Sequence, residues 1–578
     1  MSVITTSIQD RERLRRWLKR IVETRWFWRL RVALIAAMHL TAIYILASVE
    51  YGAFANTVAL LTWALFNLLW LIVLRRPGVS AALSLALVVL LIALSQFKYG
   101  VMQLTLTFLD FLIIDRDTFS FLHSLFPQLR MQSIMLAAIA VPVMWLIWRA
   151  DPFRIRRKVA AAGAGVCMLG IVGLSVANPE QPWEPFQGVN HISNLARSGV
   201  VSVSHLTSNG WIEADSKNLI GSAQATPLAA CTPRAKQPNI IMVLDESSFD
   251  ITAAPGIKVP ENYRDFFKSA DGKQRSFMTE SSGGPTWYTE FNVLTGLSAR
   301  SFGKLKFYVT RIAAGKVERG LPQALQRCGY RTFSLYPTYG NFLSARSFQK
   351  SAGVGKFIDM ADMGVSEDMQ PDKFYFDQAL QLISRERKSE QPMFVFVYLT
   401  ANHFPWTSTY RPDLTPTGWS APGNTPEVDE YIRRQAMTAS DYANFVARLK
   451  SDHPDEPFLL VRFGDHQPAI SQKLLEPNLP LAMRADRIMN HDPRYYKTYY
   501  AIDALNYKPD MSSALETLDA AYLPLAIQDA AGVPLDPSFI EQKKIMLRCR
   551  GSFYSCKDGA EARRFNRLLI DAGMIKNL

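Results

Sequence analysis

Five cysteines in 578 residues are too few for a disulfide-stapled scaffold, and 31 glycines with 32 prolines exclude a collagen-like or low-complexity chain. The chain is longer than one hydrophobic core usually spans, so at least two domains are expected. Charged residues make up only 20% and apolar residues 48%, with a mean hydropathy near zero. Those values suit an ordinary soluble protein until the apolar residues are located, and they crowd into the first third. A basic surface on the remainder is also missing. Residues 1–178 carry 19 Lys+Arg against 8 Asp+Glu, a net of +11, whereas the other 400 residues carry 45 against 43, a net of +2. A nucleic-acid-binding domain would show its basic face on the soluble part, so that class is excluded.

The first third holds five stretches long and apolar enough to cross a bilayer: Val32–Val49, Ala53–Leu74, Val79–Gln96, Met131–Trp148 and Val159–Val176. None contains Asp, Glu, Lys or Arg. His39 is the one histidine inside them and reads as a polar group facing another helix. Lys and Arg then set the orientation, because short loops retained in the cytoplasm are enriched in them. The arm to Arg31 holds nine, Arg75-Arg76 two and Arg149–Lys158 five, against Lys98, Arg116 and Arg130 on the other side. Sixteen against three puts the N-terminus inside and everything after residue 177 outside, at a bacterial inner membrane. The basic arm is too long for a cleavable signal peptide. Between the third and fourth spans, Val101–Asp117 is hydrophobic enough to lie along the outer leaflet.

The expected organisation is a cytoplasmic arm at 1–31, a five-span membrane domain at 32–176, a linker at 177–237 with a helix near Asn190–Val200, and an extracytoplasmic domain at 238–578. Four cysteines lie on the outer side, where disulfides form freely. Cys549 pairs most readily with Cys556, leaving Cys231 with Cys328, while Cys167 lies inside the fifth span.

In the outer domain, short apolar runs repeatedly end in polar residues, the pattern of buried parallel strands in an α/β sheet. Asn239–Leu244 ends at Asp245 and Glu246, Arg331–Tyr336 leads toward Arg346, Met393–Leu399 ends at Asn402 and His403, and Phe458–Phe463 ends at Asp465 and His466. Ligands bind outside the carboxyl ends of such strands, so these residues are expected at one site. Two carboxylates and a histidine suit one divalent metal of the zinc or manganese type. The nucleophile is expected at Thr286. Gly283, Gly284 and Pro285 break the chain just before a helical stretch to about Leu294, placing Thr286 at a helix N-terminus where phosphate and a developing alkoxide are favoured.

Together, Pro238–Ser247, Gly284-Pro285-Thr286 with Glu290-Phe291, Thr400–Pro405 and Phe463–His466 resemble the sulfatase-like branch of the alkaline phosphatase superfamily, and within it lipoteichoic acid synthase and related membrane phosphoglycerol transferases. The resemblance implies an α/β domain of alkaline-phosphatase/sulfatase type behind a multi-pass α-helical membrane domain. It also implies a metal held by Glu246, Thr286, Asp465 and His466, with His403 near the reacting phosphate and Arg346 binding it. Where the synthases place a histidine and a tryptophan near glycerol, this chain has Tyr336-Pro-Thr-Tyr-Gly-Asn-Phe-Leu343. A formylglycine sulfatase would need Cys/Ser-x-Pro-x-Arg, and lipid A phosphoethanolamine transferases carry Asp-His-Gly-Glu where this chain has Asp465-His-Gln-Pro468.

The implied activity is transfer of phosphoglycerol from a phospholipid, phosphatidylglycerol being favoured, to a hydroxyl of an extracytoplasmic glycan, polymer or lipid-linked acceptor through a phosphothreonine. The alternatives are a phosphoethanolamine transferase acting on lipid A, lipopolysaccharide core or periplasmic glucan, and a sulfatase-like phosphodiesterase.

Overall fold

The computed structural model describes residues 25–578 apart from 103, 182, 217–230, 232–236, 368 and 387–390. Most of the expected basic arm and much of the second half of the expected linker therefore lie outside the described residues. The chain divides into two compact units. One comprises the residues up to Ile114 with Leu122–Ser208, the other Asp115–Phe121 with Asn209–Leu578.

Among its described residues the first unit contains five helices long and apolar enough to cross a membrane: α1 (Arg25–Val49), α2 (Ala53–Leu74), α3 (Pro77–Met102), α4 (Leu129–Ala150) and α5 (Arg157–Ala177). α2 matches its apolar run at both ends. α1 is already helical at Arg25, the first described residue, and α3 reaches Met102, so both run past their apolar stretches. Asp151 accepts hydrogen bonds from the backbone N–H of Gly78 at 2.7 Å and Val79 at 3.1 Å, placing a carboxylate on the positive end of α3. His39 meets the Trp63 ring edge-on at 5.5 Å, so it does face a neighbouring helix. The helix expected near Asn190–Val200 runs from His191 to Asn209, its first turn capped by Glu50, which accepts from the Ile192 amide at 2.7 Å.

The segment read as one interfacial stretch is divided. Leu104, Leu106 and Leu109 are buried in the first unit, and Asp110 pairs with Lys98 at 2.8 Å. Asp115 and Asp117 belong to the second unit, bound by Arg311 and by the Ser347 hydroxyl.

The second unit is built on one eight-stranded mixed sheet: β1 (Asn239–Asp245), β2 (Arg275–Met278), β3 (Arg331–Leu335), β4 (Lys356–Ile358), β5 (Met393–Tyr398), β6 (Phe458–Gly464), β7 (Lys497–Leu505) and β8 (Thr517–Asp519), in the order β4-β3-β5-β1-β6-β7-β2-β8. The four strands expected from apolar runs are β1, β3, β5 and β6, which pair in parallel at its centre. Their runs are continuous because both faces are covered. Ile241, Val243, Val395, Val397 and Leu460 pack with Phe376 and Phe445, which stack at 4.7 Å on the helices Asp372–Glu386 and Pro426–Asp452. On alternate positions Ile240, Met242, Phe394 and Phe396 are equally buried. Each such side chain contributes roughly 1.5–3 kcal/mol relative to exposure.

β7 had no counterpart among the expected strands and runs antiparallel between β6 and β2. The Ala520–Ile527 stretch forms a short 3-10 turn and a helix from Leu523 to Ala530, almost wholly buried. Cys231 bonds to Cys328 and Cys549 to Cys556, while Cys167 is buried and free.

Candidate metal and phosphate site

The site follows from strand register. β1 and β6 are parallel neighbours whose last aligned pair is Asp245 with Gly464, so the next residues, Glu246 and Asp465, emerge side by side at the carboxyl edge. Gly464 permits this approach because a Cβ there would stand 1.8 Å from the Ser248 carbonyl oxygen. Oδ1 of Asp465 accepts from the amides of Ser247 at 2.8 Å and His466 at 2.9 Å, and the Ser247 hydroxyl donates to Oε1 of Glu246 at 2.8 Å.

Thr286 opens the helix Thr286–Thr295, as expected. It is the first helical residue rather than the cap, which is Pro285, and its hydroxyl caps nothing. Gly283, at φ 74°, turns the preceding loop and donates its N–H to the Gln467 carbonyl at 2.8 Å. The Thr289 hydroxyl donates to the Asp465 carbonyl at 2.6 Å. Loop and helix are thus tied to the β6 end from two sides. The Thr286 hydroxyl lies 3.3 Å from Oε2 of Glu246 and 3.4 Å from Nε2 of His466. Thr286 is half-buried while Glu246, Asp465 and His466 are buried, so the hydroxyl sits at the mouth of the cluster.

One ligand atom each from Glu246, Asp465 and His466 lies within 4.8 Å of the others. Nδ1 of His466 is 2.9 Å from the Gln467 carbonyl, which can only accept, so Nδ1 carries the proton. Nε2 then presents a lone pair 3.2 Å from Oδ2 of Asp465 and 3.6 Å from Oε1 of Glu246. Oδ2 of Asp465 is buried and hydrogen-bonds to nothing among the described residues. Burial first, and the Glu246 charge second, push the Asp465 carboxyl well above its usual range. Facing lone pairs and an orphaned carboxylate oxygen fit a cation between them, and the donor set of two carboxylates and one imidazole suits zinc or manganese.

His403 follows β5 and is half-buried. Its Nδ1–H donates to the Phe404 carbonyl at 2.8 Å, which fixes the ring by its other edge than Nε2. The loop that carries it is clamped by two residues that the sequence reading missed. Arg434, buried and paired with Glu430 at 2.6 Å, donates to the carbonyls of His403 at 2.7 Å, Pro405 at 2.9 Å and Ser408 at 3.1 Å. Asp372 accepts from the amides of Thr400 and Ala401, each at 3.0 Å.

Arg346 does not bond to the cluster. Its guanidinium reaches Asp359 at 2.5 Å, Asp362 at 3.2 Å and the Phe357 carbonyl at 3.3 Å. Burial opposes ionisation of Asp359, but the Gly340 and Asp362 amides and Arg346 outweigh it and hold that carboxyl below its usual range.

Residues 238–519 match the Sulfatase family model. A Rhizobium meliloti (strain 1021) protein, provisionally described as a cyclic beta-1,2-glucan modification protein, is 22% identical over 315 residues, 53% of this chain and 47% of that protein. Lipoteichoic acid synthase of Staphylococcus saprophyticus is 26% identical over 206 residues, 33% of this chain and 29% of that protein. The chain therefore spans less than two thirds of the length of either curated relative. Among solved structures, the Streptococcus pyogenes phosphoglycerol transferase GacH in complex with sn-glycerol-1-phosphate is 17% identical, covering 60% of this chain and 87% of that one at a TM-score of 0.43. With its central parallel strands and the acidic and histidine side chains at their carboxyl ends, the segment 238–519 matches the Sulfatase family model, and it follows, among the described residues, five helices long and apolar enough to cross a membrane.

Proposed function

We propose that this chain is an inner-membrane transferase that moves phosphoglycerol from phosphatidylglycerol to a hydroxyl of an extracytoplasmic glycan or polymer, by way of a phosphothreonine at Thr286. The observation that carries this reading is the Thr286 hydroxyl, 3.3 Å from Glu246 and 3.4 Å from His466 at the mouth of a buried metal-ligand cluster. The match of residues 238–519 to the Sulfatase family model supports it, as do relatives described by glucan modification and lipoteichoic acid synthesis. The charge asymmetry of sixteen Lys and Arg against three supports an outer location for the domain, where ATP is absent and lipid is the ready donor.

Glu246, Asp465 and His466, with Thr286, would hold one zinc or manganese ion. The ion would supply positive charge to the reacting phosphate and acidity to the threonine hydroxyl. The chain's own groups do the rest. The Thr286 hydroxyl gives its proton to Oε2 of Glu246, 3.3 Å away, and its oxygen bonds to phosphorus as the bond to the diacylglycerol oxygen breaks, while Nε2 of His403 gives that leaving oxygen its proton. The acceptor hydroxyl then loses its proton to the same nitrogen and displaces Thr286, which takes its own proton back from Glu246. Arg346 is assigned phosphate binding, which requires it to turn from Asp359 when substrate enters.

The test is diacylglycerol release by the full-length protein in mixed micelles, with phosphatidylglycerol and phosphatidylethanolamine as parallel donors. Release from phosphatidylglycerol by wild type and not by Thr286→Ala is expected. Release from neither lipid sinks the reading, and release from phosphatidylethanolamine alone replaces the head group.

A further inference from the structure

Outside the metal cluster, the second unit holds an open groove of about 1190 Å³. Its floor is one face of the helix Pro426–Asp452, where Ala436, Ala439, Ser440, Ala443 and Ala447 recur at three- and four-residue spacing. From Ala436 to Lys450 that face runs roughly 21 Å at 1.5 Å per residue. Residues 258–268 form one wall and 416–422 the other. Asn424 ties the walls together, its side chain accepting from the Lys258 amide and donating to the Lys258 carbonyl, each at 2.9 Å. Trp419 is half-buried: it packs with Val259 on the cluster that holds Tyr263 and Phe267, and the remainder of it lines the groove.

Four neutral polar side chains line the groove without a partner among the described residues: Asn262, Thr417, Ser420 and Ser440. The ammonium groups of Lys258 and Lys450 are exposed and equally unengaged there. Arg462, which also lines it, is sandwiched between the rings of Phe266 at 4.6 Å and Tyr442 at 4.2 Å. Its terminal nitrogens donate to the Phe266 carbonyl at 2.7 Å and to Asp503 at 3.1 Å, yet its buried Nε–H has no acceptor among the described residues. The carboxylates along the groove are taken, Asp265 by Lys268 at 2.7 Å and Asp503 by Arg462.

One end of the groove adjoins the candidate site. Gln435 accepts from the Tyr263 hydroxyl at 3.2 Å and donates to the Ser248 hydroxyl at 2.7 Å, directly behind Glu246 and Ser247. The wall at 416–422 continues the loop that carries His403, and Arg433 fixes its start by donating to the Thr415 hydroxyl at 2.8 Å. The occupant therefore lies along a surface that shares both a helix and a loop with the metal cluster.

A protein partner or a lipid surface is met by a broad patch of large apolar side chains. Here the floor is small, an aromatic ring stands at the wall, and the polar groups around it are hydroxyls and an amide. A sugar chain matches that set, because its C–H faces stack on an indole while its hydroxyls both donate and accept. The volume exceeds the roughly 300–1,000 Å³ that holds a drug-sized ligand, so the occupant is longer than one sugar.

We infer that this groove binds an oligosaccharide chain, with a sugar ring on Trp419 and hydroxyls bonded to Asn262, Thr417, Ser420 and Ser440. Lys258 and Lys450 add donors at its rim. On the transferase reading above, on which this role rests, the chain is the acceptor, tethered beside the site that uses one of its hydroxyls.

The test uses full-length Thr286→Ala protein, which does not turn over, in a detergent without a sugar head group. Calorimetric titration compares glucose with linear oligomers of α-linked and of β-linked glucose. Binding of at least one oligomer, and of glucose at least tenfold more weakly, is expected. Trp419→Ala, and Ser440→Trp, which puts a bulky ring on the floor, are each expected to weaken that binding by about tenfold or more at a temperature where the variants are folded. Binding of no oligomer, or unchanged affinity in both variants, overturns the inference. A changed oligomeric mass in Ser440→Trp, with no glycan bound before the substitution, gives the groove to a second copy of the chain and overturns it too. The transferase reading fails separately. Wild type that binds the oligomer but releases no diacylglycerol keeps the groove and loses that reading, whereas diacylglycerol release without glycan binding removes the groove alone.

Discussion

The hydroxyl of Thr286 lies 3.3 Å from Oε2 of Glu246, although one opens a helix and the other follows a strand forty residues earlier. The parallel register of β1 and β6 sets one side of this meeting and the Gly283–Gln467 hydrogen bond sets the other.

If the cluster is a metal site, each ligand should govern metal content. Glu246→Gln and His466→Ala are expected to weaken zinc or manganese binding by about 10- to 100-fold or more, read as metal per chain after dialysis. In metal-free protein, Glu246→Gln should raise the melting temperature, because it removes the charge that opposes ionisation of Asp465. Metal content at the wild-type level in both variants contradicts the assignment.

Arg434 holds the His403 loop through three carbonyls while paired to Glu430. Arg434→Met leaves Glu430 paired with Arg433 alone, at 2.8 Å, and strips the loop carbonyls of their donor, so it is expected to destabilise the domain by about 1–3 kcal/mol in denaturant unfolding. At a temperature where the variant is folded, turnover should fall further than substrate affinity, since His403 loses its position.

Glu290 is buried, and burial raises its carboxyl to about 7 against the opposing hydrogen bonds of Gln349 and Tyr398. A folded-state value above the unfolded 4.5 means the native protein binds the extra proton. Stability is therefore full below about pH 4.5 and declines as pH rises toward 7, by on the order of 3 kcal/mol for this group. Glu290→Gln should flatten that part of the stability profile. Asp245, raised by burial to about 7, keeps a slope of the same sign in the variant.

Gly464→Ala tests the close approach of β6 to β1. A Cβ 1.8 Å from the Ser248 carbonyl must displace backbone, so the variant should lose about 3 kcal/mol or more and its metal with it. A wild-type melting temperature would show that the strand ends can separate without cost.

Much of this was legible in the sequence, for reasons that particular residues make plain. A continuous apolar run such as Asn239–Leu244 must be covered on both faces, and such strands lie parallel with their polar residues at one end. That logic puts Glu246 and Asp465 at one edge of the sheet, where β1 and β6 end. β7 escaped it because Lys497–Leu505 mixes Tyr, Thr and Asp with apolar residues, and its burial comes from neighbours remote in sequence. Arg434 reads locally as half of a solvent-exposed i,i+4 pair with Glu430, and only the folded loop of carbonyls around it shows why it is buried. The strand before Arg346 and the family resemblance both point it toward phosphate, and its engagement by Asp359 and Asp362 depends on a turn that neither encodes.

The central claim is a covalent phosphothreonine at Thr286, and intact mass spectrometry of the full-length protein addresses it most directly. The protein is incubated with phosphatidylglycerol and manganese or zinc, without acceptor, beside Thr286→Ala. The account predicts one phosphoglycerol adduct per chain on wild type, mapped to the peptide holding Thr286, and none on the variant. An adduct of equal yield on Thr286→Ala, or diacylglycerol release by that variant at the wild-type rate, would contradict it.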